Sequence, residues 1–144
     1  MARRIWVENN QGYGIRVTGE EADGNTFRQI RLGGSGLGNG LGGLLVEAGA
    51  DSTSVLCGTL SANLGPGATV RGATTSGVGW NSGSVDNNVG PGLLVQGANS
   101  ITWSGSITAN AIGVRIEGGS SVTLQGSLTG NVGDGVRVSN GATD

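Results

Sequence analysis

Residues 97–110 (GANSITWSGSITAN) and residues 118–131 (GGSSVTLQGSLTGN) repeat the same order of residue types, with their starts 21 residues apart. Each copy ends on an asparagine, which is followed by a short turn and then by an alternating triplet, VRI at 114–116 and VRV at 136–138. Within each copy apolar and polar residues alternate, which is the period of a β-strand. Self-similarity at a period of about 20 to 50 residues is typical of solenoids. These residues therefore predict stacked repeats of short strands.

The turn that follows each asparagine recurs along the whole sequence. Its strict form is N-x-G-x-G, and this form or a looser one occurs at residues 10–14, 39–43, 63–67, 88–92, 110–113 and 131–135. The asparagines are spaced 29, 24, 25, 22 and 21 residues apart, and each unit contains three short alternating segments separated by glycine, asparagine and serine. Three strands in each turn of the chain predict an all-β fold, a parallel β-solenoid of about six coils of three short strands that build three parallel sheets. We expect one such domain over residues 1–144.

Alternation assigns one side of each strand to a narrow core. We predict inward positions at Ile15, Val17, Leu44, Val46, Val70, Leu93, Val95, Val114, Ile116, Val136 and Val138 in the first strands, at Ile101, Trp103, Val122 and Leu124 in the second, and at Val7, Leu60, Val85, Ile107 and Leu128 in the third. The asparagines form a separate column at Asn10, Asn39, Asn63, Asn88, Asn110 and Asn131. Asparagine tolerates the left-handed backbone conformation, and its amide can donate to and accept from the equivalent amide one coil away. We therefore predict a structural asparagine ladder rather than a row of ligand-binding side chains.

These N-x-G-x-G units with their asparagine column resemble the right-handed parallel β-helix repeats of the pectin-lyase-like superfamily, over residues 5–140. The resemblance implies a right-handed parallel β-helix. Members of that superfamily include polysaccharide lyases and hydrolases, alginate epimerases, bacteriophage tailspikes and surface adhesins. Its enzymes bind acidic or neutral glycans in a groove along the outer face of one sheet. The motif is specific for the fold and carries little information about activity.

The composition excludes several classes of protein. The sequence has 31 glycines in 144 residues, too many for a helical protein because each costs about 1 kcal/mol relative to alanine in a helix. It has no histidine, and its eight basic residues are all arginine in a chain of net charge −2, so we expect no metal or cofactor site and no nucleic-acid partner. No apolar run is long enough for a membrane span or a signal peptide. The single cysteine, Cys57, cannot form an internal disulfide, and we expect it to be buried or half-buried.

The outer face of the first strands is the place to look for catalytic groups. Its two outward rows read Arg16, Leu45, Thr69, Leu94, Arg115 and Arg137, and Thr18, Glu47, Arg71, Gln96, Glu117 and Ser139. Neither row contains an aspartate, and Glu47 and Glu117 lie three coils apart, about 14 Å at the spacing of neighbouring strands. Glycosidase chemistry needs two carboxyl groups about 5 to 9.5 Å apart. We therefore predict no catalytic residue in these rows.

Two features of the surface have both a structural and a binding interpretation. Arg115, Glu117 and Arg137 form a predicted cluster, which is either an ion-pair group in which Glu117 screens two arginines or a binding spot for a carboxylated or sulfated sugar. The second coil is the longest, and residues 20–25 and 33–39 project from it as loops that are either a binding side or an acidic surface.

The two ends of the sequence fit one another. Residues 141–144 and 1–10 together supply the 14 residues that residues 97–110 supply inside the chain. One copy could therefore continue another and generate a filament. Against this, Arg3 would take the inward place of Trp103, and a buried unpaired arginine is costly. A segment excised from a longer β-helix explains the same ends.

The sequence thus favours a non-catalytic structural or binding module, part of an extracellular or virion-surface fibre, adhesin or tailspike. We expect its partners to be copies of itself at the open ends of the solenoid, and polysaccharide. The alternative is a fragment of a polysaccharide-processing lyase, hydrolase or epimerase whose catalytic carboxylates lie elsewhere.

Overall fold

The computed structural model describes residues 2–34 and 36–141, and these residues form fourteen strands and no helix. The strands are β1 (Ala2–Arg3), β2 (Trp6–Val7), β3 (Tyr13–Thr18), β4 (Thr26–Arg28), β5 (Arg31–Leu32), β6 (Gly42–Glu47), β7 (Ser54–Ser61), β8 (Ala68–Arg71), β9 (Gly79–Asp86), β10 (Leu93–Gln96), β11 (Asn99–Thr108), β12 (Val114–Glu117), β13 (Ser120–Thr129) and β14 (Val136–Ser139). Every pairing between them is parallel. The predicted all-β solenoid of about six coils is confirmed.

The strands form two sheets rather than the three that the sequence predicts. The six-stranded sheet follows the asparagine turns in the order β3-β6-β8-β10-β12-β14. The eight-stranded sheet runs β1-β4-β7-β9-β11-β13, with β2 and β5 beside it. The second and third segments of each coil are separate strands only in the first two coils. From β7 onward they continue through a corner as one bent strand of eight to ten residues.

The corner of the eight-stranded sheet differs between early and late coils. In the first four coils it is occupied by residues in the left-handed conformation, Arg4, Gln29, Cys57 and Ser82, with φ between 54° and 60°. Later coils have one residue fewer, so the register shifts between Ser104 and Ser106, which pair with Asn81 and Ser84. Cys57 is therefore exposed on this corner, and the expectation that it is buried is wrong.

The inward residues stack in columns along the axis. Trp80 and Trp103 lie one above the other with ring centroids 4.6 Å apart and planes 9° from parallel. The predicted inward residues of the middle coils are buried, for example Leu93 and Val95 at 1% and 0% exposure. Val136 and Val138 occupy the same positions in the last coil but are 44% and 59% exposed. No described residue lies beyond that coil to cover them.

The last glycine of each asparagine turn allows the coils to approach closely. A Cβ atom on Gly92 would lie 2.4 Å from Cγ2 of Ile107 and 2.9 Å from the carbonyl oxygen of Gly113, the equivalent glycine one coil on. A Cβ on Gly113 would lie 2.3 Å from the carbonyl oxygen of Gly135 in the same way. A Cβ on Gly135 would meet nothing within 4 Å. The motif therefore requires glycine wherever another coil follows.

Candidate functional site

The asparagine column forms a continuous hydrogen-bonded ladder. Asn63 shows the pattern: its backbone N–H and its Nδ2 both donate to Oδ1 of Asn88, at 3.0 and 2.9 Å, and Nδ2 also donates to the carbonyl oxygen of Leu32 at 3.0 Å. Equivalent amide-to-amide bonds join every step from Asn10 to Asn131. Because Asn39, Asn63, Asn88 and Asn110 are buried, these bonds satisfy amides that cannot reach water. The predicted structural ladder is confirmed.

The ladder has a direction, since each asparagine donates to the one in the following coil. Asn131 accepts from Asn110 and donates its own Nδ2 to the carbonyl oxygen of Ile107 at 3.3 Å, and within the described residues no further member of the ladder follows it. At the other end, Asn10 donates to Oδ1 of Asn39, and its own Oδ1 accepts no hydrogen bond from a described residue. One end of the ladder thus presents donors and the other presents an acceptor.

The outer face of the six-stranded sheet centres on a buried carboxylate. Glu47 is 7% exposed, and its two oxygens accept hydrogen bonds from Nε of Arg16 at 2.7 Å and Nε of Arg71 at 2.6 Å. Burial raises the pKa of this carboxyl, but the hydrogen bonds from Arg71 and Arg16 outweigh it, so the pKa of Glu47 lies below its ordinary value. Glu47 is therefore held as a charged, doubly paired group.

Two residues of the outward row are buried although the alternation places them outside. Leu45 is 1% and Thr69 is 2% exposed, and Leu45 does not belong to the core cluster. Arg16 lies opposite Leu45 in the ladder yet reaches Glu47, two residues further along that strand. The Arg16 side chain must therefore run over the outer face of the sheet beside Leu45. Sequence alternation cannot show such covering by a long side chain.

The structure separates the predicted group of Arg115, Glu117 and Arg137 into two pairs. Arg115 forms an ion pair with Glu117, whose other oxygen accepts from Nε2 of Gln96 at 2.7 Å. Arg137 lies beside Arg115 in the register, but its Nε donates to Asp134 at 2.6 Å. Nε of Arg115 is buried and has no described partner.

The carboxylates of this face are spread out along the axis. Glu47 pairs in register with Arg71, then Gln96, then Glu117. This confirms a separation of three coils, about 14 Å. Among the residues that the structure covers, no three cysteine, aspartate or glutamate side chains gather as a metal site would require. The same residues contain no helix long and apolar enough to cross a membrane.

A second cluster, which the sequence pattern does not predict, lies on the eight-stranded sheet. Arg3 and Arg28 are register partners on β1 and β4. Arg4 follows at the corner and donates from Nε to Oε1 of Gln29 at 3.2 Å. Arg31 lies with its guanidinium 5.2 Å from the ring centroid of Trp6. Four of the eight arginines thus lie on the first two rungs of the eight-stranded sheet.

Arg3 is exposed in an outward row, so its expected inward position, equivalent to Trp103, is wrong. The register runs from Arg3 through Arg28, Leu56 and Asn81 to Ser104. A count back from Asn10 with the length of a late coil omits the additional corner residue of the first coil, Arg4. Counting with the additional residue would have found this arginine cluster.

Comparison with solved structures identifies the architecture. The chain is similar to the mannuronan C-5 epimerase AlgE6 A-module of Azotobacter vinelandii, with a TM-score of 0.79 and 23% sequence identity. The fold is a parallel β-helix. The similarity covers 90% of this chain but 35% of the epimerase module, so the β-helix spans about a third of the length of that structure. No protein-family model matches this β-helix, and no curated protein matches its sequence.

Proposed function

We propose that this β-helix is a non-catalytic structural module that associates head to tail, the last coil of one copy stacking on the first coil of the next. The observation that carries the proposal concerns the last glycine of each asparagine turn, a column formed by Gly14, Gly43, Gly67, Gly92, Gly113 and Gly135. A Cβ atom on each earlier member would meet the following coil, whereas a Cβ on Gly135 would meet nothing within 4 Å. Such an assembly is suited to an extracellular fibre or surface appendage that contacts polysaccharide.

The apolar surface at the last coil supports stacking rather than exposure. Val136 and Val138 are exposed, while Val122, Leu124 and Leu128 are only partly buried. Their equivalents in the middle coils are covered by the next rung. Each exposed strand also leaves a row of unpaired backbone groups that can pair with another chain. The first coil of a second copy would supply both the apolar contacts and the backbone hydrogen bonds, at the same spacing as between coils within one β-helix.

The asparagine ladder supports a defined register between copies. Nδ2 of Asn131 donates to the carbonyl oxygen of Ile107 as Nδ2 of Asn63 donates to that of Leu32, so the last amide makes the same backward contact as the earlier members. Oδ1 of Asn10 in a second copy is the matching acceptor.

Assembly is tested by comparing the wild-type protein with Gly135→Ala. We expect the wild type to form filaments one β-helix wide with an axial repeat of about 29 Å, six coils at the strand spacing. The variant should fold normally, because its new methyl group meets nothing within the subunit, yet stay a monomer of 14.2 kDa. Light scattering over a concentration series and electron microscopy measure both. A wild type that stays monomeric at all concentrations would overturn the proposal.

The alternative function, a fragment of a polysaccharide-processing enzyme, is favoured by the similarity to an epimerase module. The paired state of Glu47 and Glu117 argues against it, since each carboxylate is engaged by arginine. Incubation with mannuronan, followed by NMR for the C-5 epimer and by absorbance for unsaturated ends, separates the two functions. We expect neither product; turnover by the purified chain would establish the enzyme.

A further inference from the structure

We infer that filaments of this β-helix associate side by side through an apolar ridge that runs along the asparagine turns. The ridge consists of Leu41, Leu64, Val89 and Val132, which are 57%, 64%, 65% and 90% exposed. Each of these residues lies one or two positions after an asparagine of the ladder. The inference rests on the proposed head-to-tail association, since it concerns how the resulting filaments contact one another.

The turns place these side chains in one line parallel to the axis of the solenoid. Leu64, Val89 and Val132 each donate their backbone N–H to the carbonyl oxygen of the asparagine in the preceding coil, at 3.0, 3.0 and 2.9 Å. The ridge therefore repeats at the spacing of neighbouring strands, about 4.8 Å. Further apolar residues of the same turns are half-buried beside the ridge, namely Pro66, Pro91, Ala111 and Ile112.

The ridge differs in character from the other two corners of the β-helix. Its turns, residues 39–43, 63–67, 88–92, 110–113 and 131–133, contain no charged residue. A second corner exposes Glu20, Glu21 and Asp23, and the third exposes Arg4, Gln29, Cys57 and Ser82. Single apolar residues are common on protein surfaces, but a contiguous row of them is typical of an interaction site. The contrast points to a contact between this corner and another molecule.

The rigidity and the period of the ridge favour a second β-helix as the partner. Both prolines of the sequence, Pro66 and Pro91, lie in its turns, and the buried ladder fixes the asparagine at the start of each turn. A rigid surface loses little conformational freedom on binding. A partner with the same repeat of about 4.8 Å can place its side chains between those of the ridge over the whole length. The same ridge on another filament of this protein has that repeat.

The area of the ridge explains why filaments associate whereas single subunits do not. The exposed fractions of its side chains and their half-buried neighbours correspond to an apolar surface on the order of 500 Å² per subunit. Two such ridges would bury about 1,000 Å², less than the roughly 1,200 to 2,000 Å² of a stable interface. In a filament the ridges of successive subunits lie in line, so the first contact makes the following contacts intramolecular and strengthens the whole.

The experiment measures the mass per unit length of filaments by dark-field electron microscopy over a concentration series. The ridge variant is Leu64→Gln with Val89→Gln, because Gln11 already occupies the equivalent position in the first coil. The control is Trp6→Gln, which removes a comparable exposed apolar surface from β2. These substitutions leave the net charge unchanged, and thermal melting checks that both variants fold.

A lipid surface is the competing partner for an apolar ridge. Flotation with neutral phosphatidylcholine vesicles tests it on the monomeric Gly135→Ala protein, with and without the two ridge substitutions.

At the lowest concentration that gives filaments, we expect one subunit of 14.2 kDa in each axial repeat of about 29 Å. At higher concentration the wild type and Trp6→Gln should both double this mass per length, whereas the ridge variant should keep the single value.

Wild-type filaments that stay single, or a ridge variant that pairs like the control, would overturn the inference and leave head-to-tail association intact. Absence of wild-type filaments would overturn both. Vesicle binding by Gly135→Ala that the ridge substitutions abolish would assign the ridge to a lipid surface and overturn the pairing of filaments.

Discussion

The middle and the last coils of this β-helix carry the same motif but have opposite surroundings. Val95 and Val138 are equivalent, yet the first is 0% and the second 59% exposed. Gly92 has a carbonyl oxygen and a side chain pressed against it, while Gly135 has open space. Each copy of the motif therefore forms a coil whose inward side chains and last turn glycine are buried only where a following coil packs against them. The energetic value of each residue depends on whether a coil follows it.

The largest difference is expected in the asparagine ladder. Asn63→Ala should lower the free energy of unfolding by about 4 kcal/mol, because it removes the acceptor of the N–H and Nδ2 of Asn39 and the donor to the carbonyl of Leu32, and each buried group left without a partner costs about 1 to 3 kcal/mol. Asn131→Ala in the monomeric Gly135→Ala background should cost about 1 kcal/mol. Urea unfolding measures both, and equal losses would contradict the role of the following coil.

The glycine column gives the next largest difference. Gly92→Ala places a methyl group 2.4 Å from Ile107 and should destabilise the fold by about 3 kcal/mol through overpacking. Gly135→Ala should leave the stability of the subunit unchanged or raise it by about 0.5 kcal/mol, because alanine reduces the freedom of the unfolded chain. Chemical denaturation decides this comparison, and similar destabilisation by both substitutions would refute it.

The core valines should show the same difference between a middle coil and the last coil, with a smaller effect on stability. Val95→Ala removes two fully buried methyl groups and should cost about 2 kcal/mol. Val138→Ala should cost less than about 0.5 kcal/mol in the monomeric background, because its side chain is already in water. Thermal unfolding at matched concentrations separates the two. A loss at position 138 as large as at position 95 would mean that something else covers the last coil.

The smallest difference concerns the charged groups of the outer face. Because the pKa of Glu47 is lowered in the fold, its ionised form contributes stability above its unfolded value of about 4.3, and this contribution is lost as the pH falls through the folded pKa. Glu47→Gln should therefore destabilise the protein at pH 7 and flatten the fall in stability below about pH 4.5. Asp134→Asn should change the stability at pH 7 by less than about 1 kcal/mol, since its pair with Arg137 is half exposed. Unfolding curves from pH 3 to 7 test this, and an unchanged Glu47→Gln profile would contradict it.

Much of the fold could be predicted from the sequence because every coil repeats the same pattern of asparagine, glycine and alternating apolar residues. Six asparagine turns set the ladder, and the alternation after each turn set the inward residues. The corner of the eight-stranded sheet could not be predicted, because one additional residue at Arg4, Gln29, Cys57 or Ser82 changes the backbone without breaking the alternation. That residue brought Cys57 to the surface and moved Arg3 outward.

The sites were less accessible to sequence reasoning for two physical reasons. Long side chains choose partners beyond their register neighbours, so the sequence predicts that Glu117 screens Arg137, whereas in the structure Arg137 pairs with Asp134. Arg3 and Arg28 belong to different coils, and the additional corner residue hides their common register. Both depend on three-dimensional pairing that a repeat pattern does not contain.

The most direct test of head-to-tail stacking mixes two variants that block opposite ends. Gly12 and Gly135 both have room for a Cβ atom within the subunit, whereas Gly65, the equivalent of Gly12 two coils on, would meet the preceding coil at 2.1 Å. Gly12→Ala should therefore block the first coil and Gly135→Ala the last. Each variant alone should be monomeric by analytical ultracentrifugation, and an equal mixture should form dimers, since each supplies the end that the other lacks. Monomers in the mixture, or filaments in either variant alone, would contradict the account.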